Sequence, residues 1–597
     1  MCRSFRSWLH GGNPWDSLLF APLFEELKRR IAEDGRFFEK MIRRYLLDNP
    51  HVAFMIIEPR EGFLEEKEAA LSRRLAEIEA SLGDDGKEAV KNKSEELIRF
   101  QEKEDSPEAL AAIPYLSRND LPPEIEIVKR EYADASGVPL LVHPLFTNGI
   151  TYIDLAFPLD VFSPEDYLWF PFYSRAVVSM GLPGMDYGEV SSLMARTAGG
   201  FIATLHSGSL APGSARTTAF PTGTLDAAGR DWIIFRLKAL DEKIGPSLDL
   251  ALRLITEADF SDLKRLKDLA LEMRNDLDSG LAPSGHLHAL GISGRLFSRS
   301  RVLEELWGGL DQLVFAHKLA ELDVSEISAK LSALQKKLAG AGVLVNLTGN
   351  AKAGKEIGKY FGSFGVPRLR NPASGEMGNF LALSEFKPLS GKVEVFASPS
   401  LQVGFAAVSL RAVPYGSPLQ AAEIVLSHQL STGVLWEEIR MKGGAYGAFT
   451  QADHIEGTFS FSTYHDPNPL RSLEAFSSII GEASRRKDNS HNKDSCYHKD
   501  SLEKAVIGAY SRETRPRAPR EKGFADFLRF LCGVEDWHRS RRLYGIINVS
   551  EEQIEAAEER LANENENGCY HPVIIAGKTE AEKAAASLGV EFRTLPV

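Results

Sequence analysis

WEEIRMKGGAYGAFT, residues 436–450, is the stretch from which the rest of the chain is read. It opens as the end of a helix. Leu426, Leu430, Trp436 and Ile439 are apolar positions compatible with a buried side, while Glu437, Glu438, Arg440 and Lys442 are polar. Gly443 and Gly444 then end the helix, because glycine tolerates the left-handed turn that follows a helix C-terminus. Residues 445–450 are small, aromatic and β-prone, so the chain is expected to leave as a strand. Arg440 and Tyr446 thus flank a tight turn, a cation and a phenol able to converge on one carbonyl or oxyanion. On the residues alone two readings stay open. Either the pair converges in that way, or Arg440 caps the helix and Tyr446 packs on the sheet.

The same R-x-x-G-G form occurs at residues 196–200. Both copies follow a candidate helix and precede a strand-like run. Upstream, 151–157 matches 402–410 as a strand; downstream, 232–237 matches 458–464. Two related α+β domains are therefore expected, 123–375 and 376–597, separated near 375–390. The repeat is imperfect at one place: Ile202 stands where the second copy has Tyr446. That asymmetry gives Tyr446 a role beyond packing.

Ahead of the repeat, 22–47 carries apolar residues at helix-like spacings, and HVAFMIIE (51–58) is an apolar run suited to a buried strand. One helix and one strand cannot enclose a core, so 1–60 reads as the tail of a domain. Leu64, Leu71, Leu75, Ile78 and Leu82 form an amphipathic series. A turn at 83–86 and a second series from Val90 to Phe100 then complete a helical hairpin over 61–122.

Composition is that of an ordinary soluble globular protein, 43% hydrophobic and 26% charged. A net charge of −13 argues against nucleic-acid and anionic-membrane partners. No apolar run approaches the ~18 residues that span a bilayer. The N-terminus lacks a secretory apolar region, and Arg3 and Arg6 with serines give only a faint transit-peptide character. Cys2, Cys496, Cys532 and Cys569 are too few and too scattered for a disulfide framework. A soluble, reducing compartment is expected, cytoplasmic or, in a eukaryote, an organelle matrix.

None of the fourteen histidines begins H-x-x-E-H or H-E-x-x-H. His317 precedes Glu321 without a second histidine. His286 and His288 are two apart, not the spacing that puts both rings on one helix face, and read as structural. His491, Cys496 and His498 lie in a charged loop without a standard fourth ligand. No metal ligands are expected in this chain. Nucleophile-elbow, P-loop and dinucleotide patterns are missing too, and Cys532 reads as core. Residues 464–468, YHDPN, give a strand-to-turn signal with Asp466 and Asn468 as turn formers.

EEIRMKGGAYG (437–447) resembles the C-terminal-half signature of the pitrilysin/insulysin family of inverted-motif zinc peptidases, in particular its presequence-protease and falcilysin branch. SWLHGGNPW (7–15), LLDNPHVAFMIIEP (46–59), TNGITYIDLAF (147–157), TAGGFIA (197–203), SGHLHAL (284–290) and YHDPNP (464–469) agree with that branch in order, so the resemblance runs essentially end to end. It implies an α+β chain of two related pitrilysin-type α/β sandwich domains, the third (123–375) and fourth (376–597) of the family. The tail of a truncated second domain (1–60) and a helical hairpin linker (61–122) precede them. In the family two halves close like a clamshell around an unfolded peptide. The N-terminal half brings zinc and the base, and the C-terminal half brings substrate contacts.

By that resemblance Arg440 and Tyr446 touch the substrate backbone, Tyr446 donating to the scissile carbonyl oxygen. Gly443, Gly444 and Ala445 let peptide backbone approach. His465, where the family has an arginine, and Asn468 lie near the substrate-facing side. The chain is then the substrate-binding half of a zinc metalloendopeptidase acting on unfolded oligopeptides, inactive unless paired. No cofactor belongs to this chain, and zinc is expected in the missing catalytic half. The partners implied are a peptide, and a complementary N-terminal half or a second copy, with no nucleic acid and no membrane. The alternative is a non-catalytic binding or scaffold subunit of the same family.

Overall fold

The structure, a computed structural model, describes the chain except residues 1, 17, 104, 107, 110–111, 216, 222, 366, 370–391 and 486–498. It divides into two compact units, Met1–Pro114 and Tyr115–Val597.

In the second unit, runs of alternating or fully apolar residues pair into two six-stranded sheets. The first is built from β1 (Glu131–Ala135), β2 (Val138–Pro144), β3 (Ile150–Pro158), β4 (Gly200–His206), β7 (Trp232–Leu240) and β8 (Leu344–Gly349); β5 (Thr217–Phe220) and β6 (Gly223–Asp226) make a separate hairpin. The order is β1-β2-β8-β3-β7-β4, with only β2 and β8 parallel. The second contains β9 (Glu394–Ser398), β10 (Phe405–Arg411), β11 (Gly447–Asp453), β12 (Thr458–Tyr464), β13 (Tyr570–Gly577) and β14 (Phe592–Thr594), in the order β11-β12-β10-β13-β9-β14. Five strands of each sheet correspond: β2-β8-β3-β7-β4 and β9-β13-β10-β12-β11 share order and relative direction. The repeat read around R-x-x-G-G is thus a repeat of topology, and the α+β class with two related sandwich domains is the observed one. The outer strand differs, β1 being antiparallel to β2 and β14 parallel to β9.

Period-two alternation assigns each sheet two apolar faces. In the first, Ile153, Leu155, Phe157, Ile233 and Phe235 join the core under the helices Phe170–Val177, Ile244–Glu257 and Val324–Ala339. Ala156, Trp232 and Ile234 point the other way, onto Phe527, Phe530 and Leu531. Those three belong to the Pro519–Leu531 helix, from the second half of the sequence. The second sheet mirrors this. Ala406, Val408, Leu410, Phe459 and Phe461 face its own helices, whereas Phe405, Ala407, Val573 and Ile575 receive Leu281, Ala289 and Ile292 from the Leu263–Gly294 helix of the first half. Each half therefore covers the other's open sheet face. Both exchanged helices approach through a glycine. A Cβ on Gly285 would fall on the Phe405 ring, and one on Gly523 on the Thr348 side chain. Arg295 and His571 both pair with Glu394 (2.6 and 2.8 Å), and Arg130 with Asp526 (2.8 Å), pinning the exchange with charge.

The boundary region expected at 375–390 lies outside the described residues. Residues 115–122, read from sequence as part of the hairpin linker, pack with the second unit. Arg118 donates to the Val549 carbonyl (2.7 Å), and Leu121 is buried in the second core.

The first unit departs from expectation in two places. The helix read over 22–47 is interrupted. Ala21–Glu33 stops at Asp34 and Gly35, and Phe37–Ile42 continues into a π-helical turn, Arg43–Leu47. Residues 51–58 form no strand. An apolar run makes a strand only where a second strand takes up its backbone hydrogen bonds. No described strand does so, and Phe54 and Ile57 are 87% and 86% exposed. The two helical series read over this region run as Phe63–Glu102, broken at Gly83 (φ 60°, ψ −173°), with their large apolar residues exposed. The break is one residue wide, not four, because Asp84 and Asp85 are already helical; Lys87 reaches back across it to Glu79 at 2.8 Å.

Candidate functional site

β11 is an outer strand, paired only with β12. Its N-terminal end is set by what precedes it. The helix Gln420–Thr432 stops at Gly433, and the chain resumes as a π-helical turn, Trp436–Met441. This interruption shifts the helical phase. Leu426, Leu430 and Ile439 are buried as expected, but Trp436 is not, at 45% exposure. The turn closes through hydrogen bonds from the amides of Gly444 to Arg440 (3.1 Å) and of Ala445 to Ile439 (3.1 Å).

Each glycine has its own reason. A Cβ on Gly443 would lie 2.5 Å from the Ile439 carbonyl oxygen, and Gly444 sits at φ 81°. Both needs are internal to the turn. Ala445 is buried, and the strand begins at Gly447, two residues later than the sequence reading placed it.

Tyr446 emerges here, 68% exposed. Its amide donates to the His465 carbonyl (3.2 Å), which ties the turn to the end of β12. The Arg440 guanidinium lies 5.8 Å from the centre of the Tyr446 ring. Among the described residues neither the guanidinium nor the phenol oxygen has a hydrogen-bond or ion-pair partner, so Arg440 makes no side-chain cap. Tyr446 is largely exposed, with Tyr464 and His465 against one side of its ring.

The wall behind Tyr446 is aromatic. Tyr464 meets it edge-on at 5.8 Å and stacks on His465 at 4.1 Å; His286 meets Tyr464 edge-on at 4.9 Å. His465 adopts φ 48°, uncommon outside glycine. Its Nε2–H donates to the Ala282 carbonyl (3.2 Å), which spends the ring on the Leu263–Gly294 helix. Asp466 closes the turn through paired backbone bonds with Gly404 (2.7 and 2.8 Å), and its Oδ1 accepts from the Asn468 amide (2.9 Å). Asn468 is exposed just ahead of the Pro469–Arg485 helix, and Pro467 backs Gly444. Arg440, Tyr446 and His465 are thus brought together, with Asn468 on the adjoining turn.

His286 and Tyr464 are the members that sequence reading passed over. The segment 284–290 carried a signal, but the two-residue His spacing read as structural. Burial, and next the positive charge of His465, lower the pKa of His286; burial, and next the charge of His286, do the same for His288. Cys532 is the buried core thiol expected, and burial pushes it up to about 12. His317 pairs with Asp278 at 2.8 Å. His491, Cys496 and His498 lie outside the described residues. Among those described, no three His, Cys, Asp or Glu side chains gather so as to hold a metal ion. No described helix is long and apolar enough to cross a membrane.

The fold has counterparts among solved structures. The M16 peptidase inactive domain from Pseudomonas fluorescens superposes with a TM-score of 0.51 at 15% identity, covering 76% of this chain and 98% of that one. Sequence comparison goes further. The family of domains associated with M16 peptidases of subfamily C matches residues 57–319, and the PreP C-terminal domain matches 394–578. Presequence protease 1, chloroplastic/mitochondrial, of Arabidopsis thaliana is 27% identical over 560 residues, covering 92% of this chain and 49% of that protein. The mitochondrial presequence protease of Schizosaccharomyces pombe is 26% identical over 587 residues, covering 96% and 55%. The chain belongs to the presequence-protease-like M16 peptidases and corresponds to their C-terminal half. It spans about half the length of these relatives.

Proposed function

We propose that this chain is the substrate-binding half of a metalloendopeptidase that degrades unfolded oligopeptides, working with a separate half that carries zinc and the base. The observation that carries the proposal is the pairing of an exposed phenol with an exposed guanidinium, neither engaged elsewhere among the described residues. A peptide that covers such groups must satisfy them, because polar groups taken out of water are ordinarily hydrogen-bonded. Two that are held together on a rigid turn and left unpaired are available to a ligand. In this reading Arg440 binds peptide carbonyls, and the Tyr446 O–H donates to the scissile carbonyl oxygen as negative charge develops on it. His465 and Asn468 border the peptide. The glycines serve by fixing the turn and by leaving no side chain in front of it. Zinc in the other half would supply an activated water.

The first unit supports the partner part of the proposal. Its helices Ala21–Glu33 and Phe37–Ile42 bury no residue, and Phe54, Met55, Ile56 and Ile57 lie exposed in succession. Contiguous apolar surface of this kind marks an interaction face, here assigned to the complementary half. A reducing compartment, an organelle matrix in a eukaryote, fits the free thiols of Cys532 and Cys569.

The experiment is a mixing assay with a fluorogenic unstructured peptide. The chain alone should be inactive, and adding an H-x-x-E-H half from a presequence protease should produce chelator-sensitive cleavage. Peptide binding by the chain with no turnover in any such mixture would return the non-catalytic scaffold reading.

A further inference from the structure

A second polar site lies where the two halves of the Tyr115–Val597 unit meet. The segment 124–128 leads into the first sheet. It faces the end of the Lys499–Glu513 helix, the exchanged Pro519–Leu531 helix and the Asp536–Ile547 helix across a cavity of about 210 Å³. That is well above the ~10–15 Å³ needed for one water. Five cations line it, Arg515, Arg517, Lys522, Arg529 and Arg539, against three carboxylates, Glu124, Glu126 and Glu513.

Two of those carboxylates are already committed. Glu126 is paired with Lys522, and Glu513 with Arg542, which does not line the cavity. Arg539 is 6% exposed. It uses one terminal nitrogen on Asp536 (2.8 Å) and the other on the Glu126 carbonyl (3.1 Å), which leaves its buried Nε–H without an acceptor. Arg529 and Arg517, both partly buried, and Arg515, exposed, have no hydrogen-bond or ion-pair partner among the described residues. Burial, then the charges of Arg539 and Arg517, depress the Arg529 guanidinium to about 10. In a chain whose net charge is −13, this is a local excess of positive charge that Glu124, Asp526 and Glu513 offset only in part.

We propose that this cavity binds a phosphate-class oxyanion, inorganic phosphate or the linked phosphoryl groups of pyrophosphate or a nucleoside diphosphate, through Arg529, Arg517 and Arg515. Guanidinium forks present paired N–H donors that match tetrahedral oxyanions, and a multiply charged anion answers a multiple excess. A single carboxylate offers one plane of two oxygens and one charge, too little for three forks. The bound anion would tie the segment carrying Arg515 and Arg517 to the exchanged Pro519–Leu531 helix, and so would stabilise that helix in place.

Thermal melts of the full chain test this, with phosphate, pyrophosphate, ADP and acetate each compared with sodium chloride at equal ionic strength. Phosphate-class anions should raise the melting temperature above the chloride control, and acetate should not. A response to ADP alone would identify the nucleotide as the source of the same chemistry. Arg529→Gln should melt at or above wild type without anion, because it removes an uncompensated charge. It should weaken anion binding by roughly 10- to 100-fold, the ratio carried by one hydrogen bond to a charged group. Arg517→Gln, away from the helix core, should weaken it likewise should Arg529→Gln fail to fold. No anion-specific rise in wild type, or equal rises in wild type and both variants, would overturn the assignment.

Discussion

Replacing Gly443 by alanine is a sharp test of how the Arg440–Tyr446 turn is held. The new Cβ would sit 2.5 Å from the Ile439 carbonyl oxygen and 3.1 Å from that residue's carbonyl carbon and Cα. These are backbone atoms of the turn itself, so no side chain can swing aside. Relief requires opening the turn, which breaks the Ala445-to-Ile439 hydrogen bond (3.1 Å) and draws on buried Ala445. Overpacking of this kind costs about 1–3 kcal/mol, and one lost backbone bond adds about 1 kcal/mol. A total of about 2–4 kcal/mol is expected. Gly444→Ala differs. Its Cβ would meet only Pro467 at 3.6 Å, so the cost is the left-handed backbone at φ 81°, about 1–2 kcal/mol. Thermal melts give the order, and amide exchange at 445–447 locates the damage. A Gly443→Ala protein as stable as wild type, with protected amides there, would refute the steric account.

Two carboxylates, partly buried Glu394 and buried Glu305, should titrate with opposite signs. Burial works to raise Glu394, but hydrogen bonds from His571 and the charge of Arg295 bring it down to about 2; its contribution is present above pH ~4.5 and is lost as pH falls toward 2, so Glu394→Gln should flatten acid unfolding in a circular-dichroism titration. Burial lifts Glu305 to about 7, so stability falls as pH rises from ~4.5 to 7, and Glu305→Gln should raise the melting temperature at pH 8 but not at pH 4. The purified chain should self-associate through its first unit in light scattering over a concentration series. Phe54→Ser with Ile57→Ser should lower that association without changing the melt of the second unit.

Much of the architecture was legible because its signals are local. Duplicated R-x-x-G-G turns with strands of matching order reveal a repeat without any contact being known. The exchange of covering helices was not legible. Nothing in the amphipathicity of Leu263–Gly294 or Pro519–Leu531 says which sheet they serve, and nothing in the sequence sets Gly285 and Gly523 apart until Phe405 and Thr348 are seen beneath them. Residues 51–58 misled for a related reason. An apolar run specifies burial, but a strand also needs a neighbour. At the site, Arg440 and Tyr446 were found from their spacing across the turn, whereas His286 comes from a helix far away in sequence. Trp436 was misplaced because the break at Gly433 and the π-helical turn shift a periodicity that counting assumes continuous.

The central claim, that Tyr446 acts on the peptide carbonyl, is tested most directly by kcat of Tyr446→Phe in the chain reconstituted with a zinc-bearing half. The ring is 68% exposed and its oxygen bonds no described residue, so losing the hydroxyl should leave the melt unchanged. Loss of a single oxyanion donor lowers kcat by roughly 10²-fold or more, and that fall, with an unaltered melting temperature, is the predicted result. Wild-type kcat in the phenylalanine variant would contradict it.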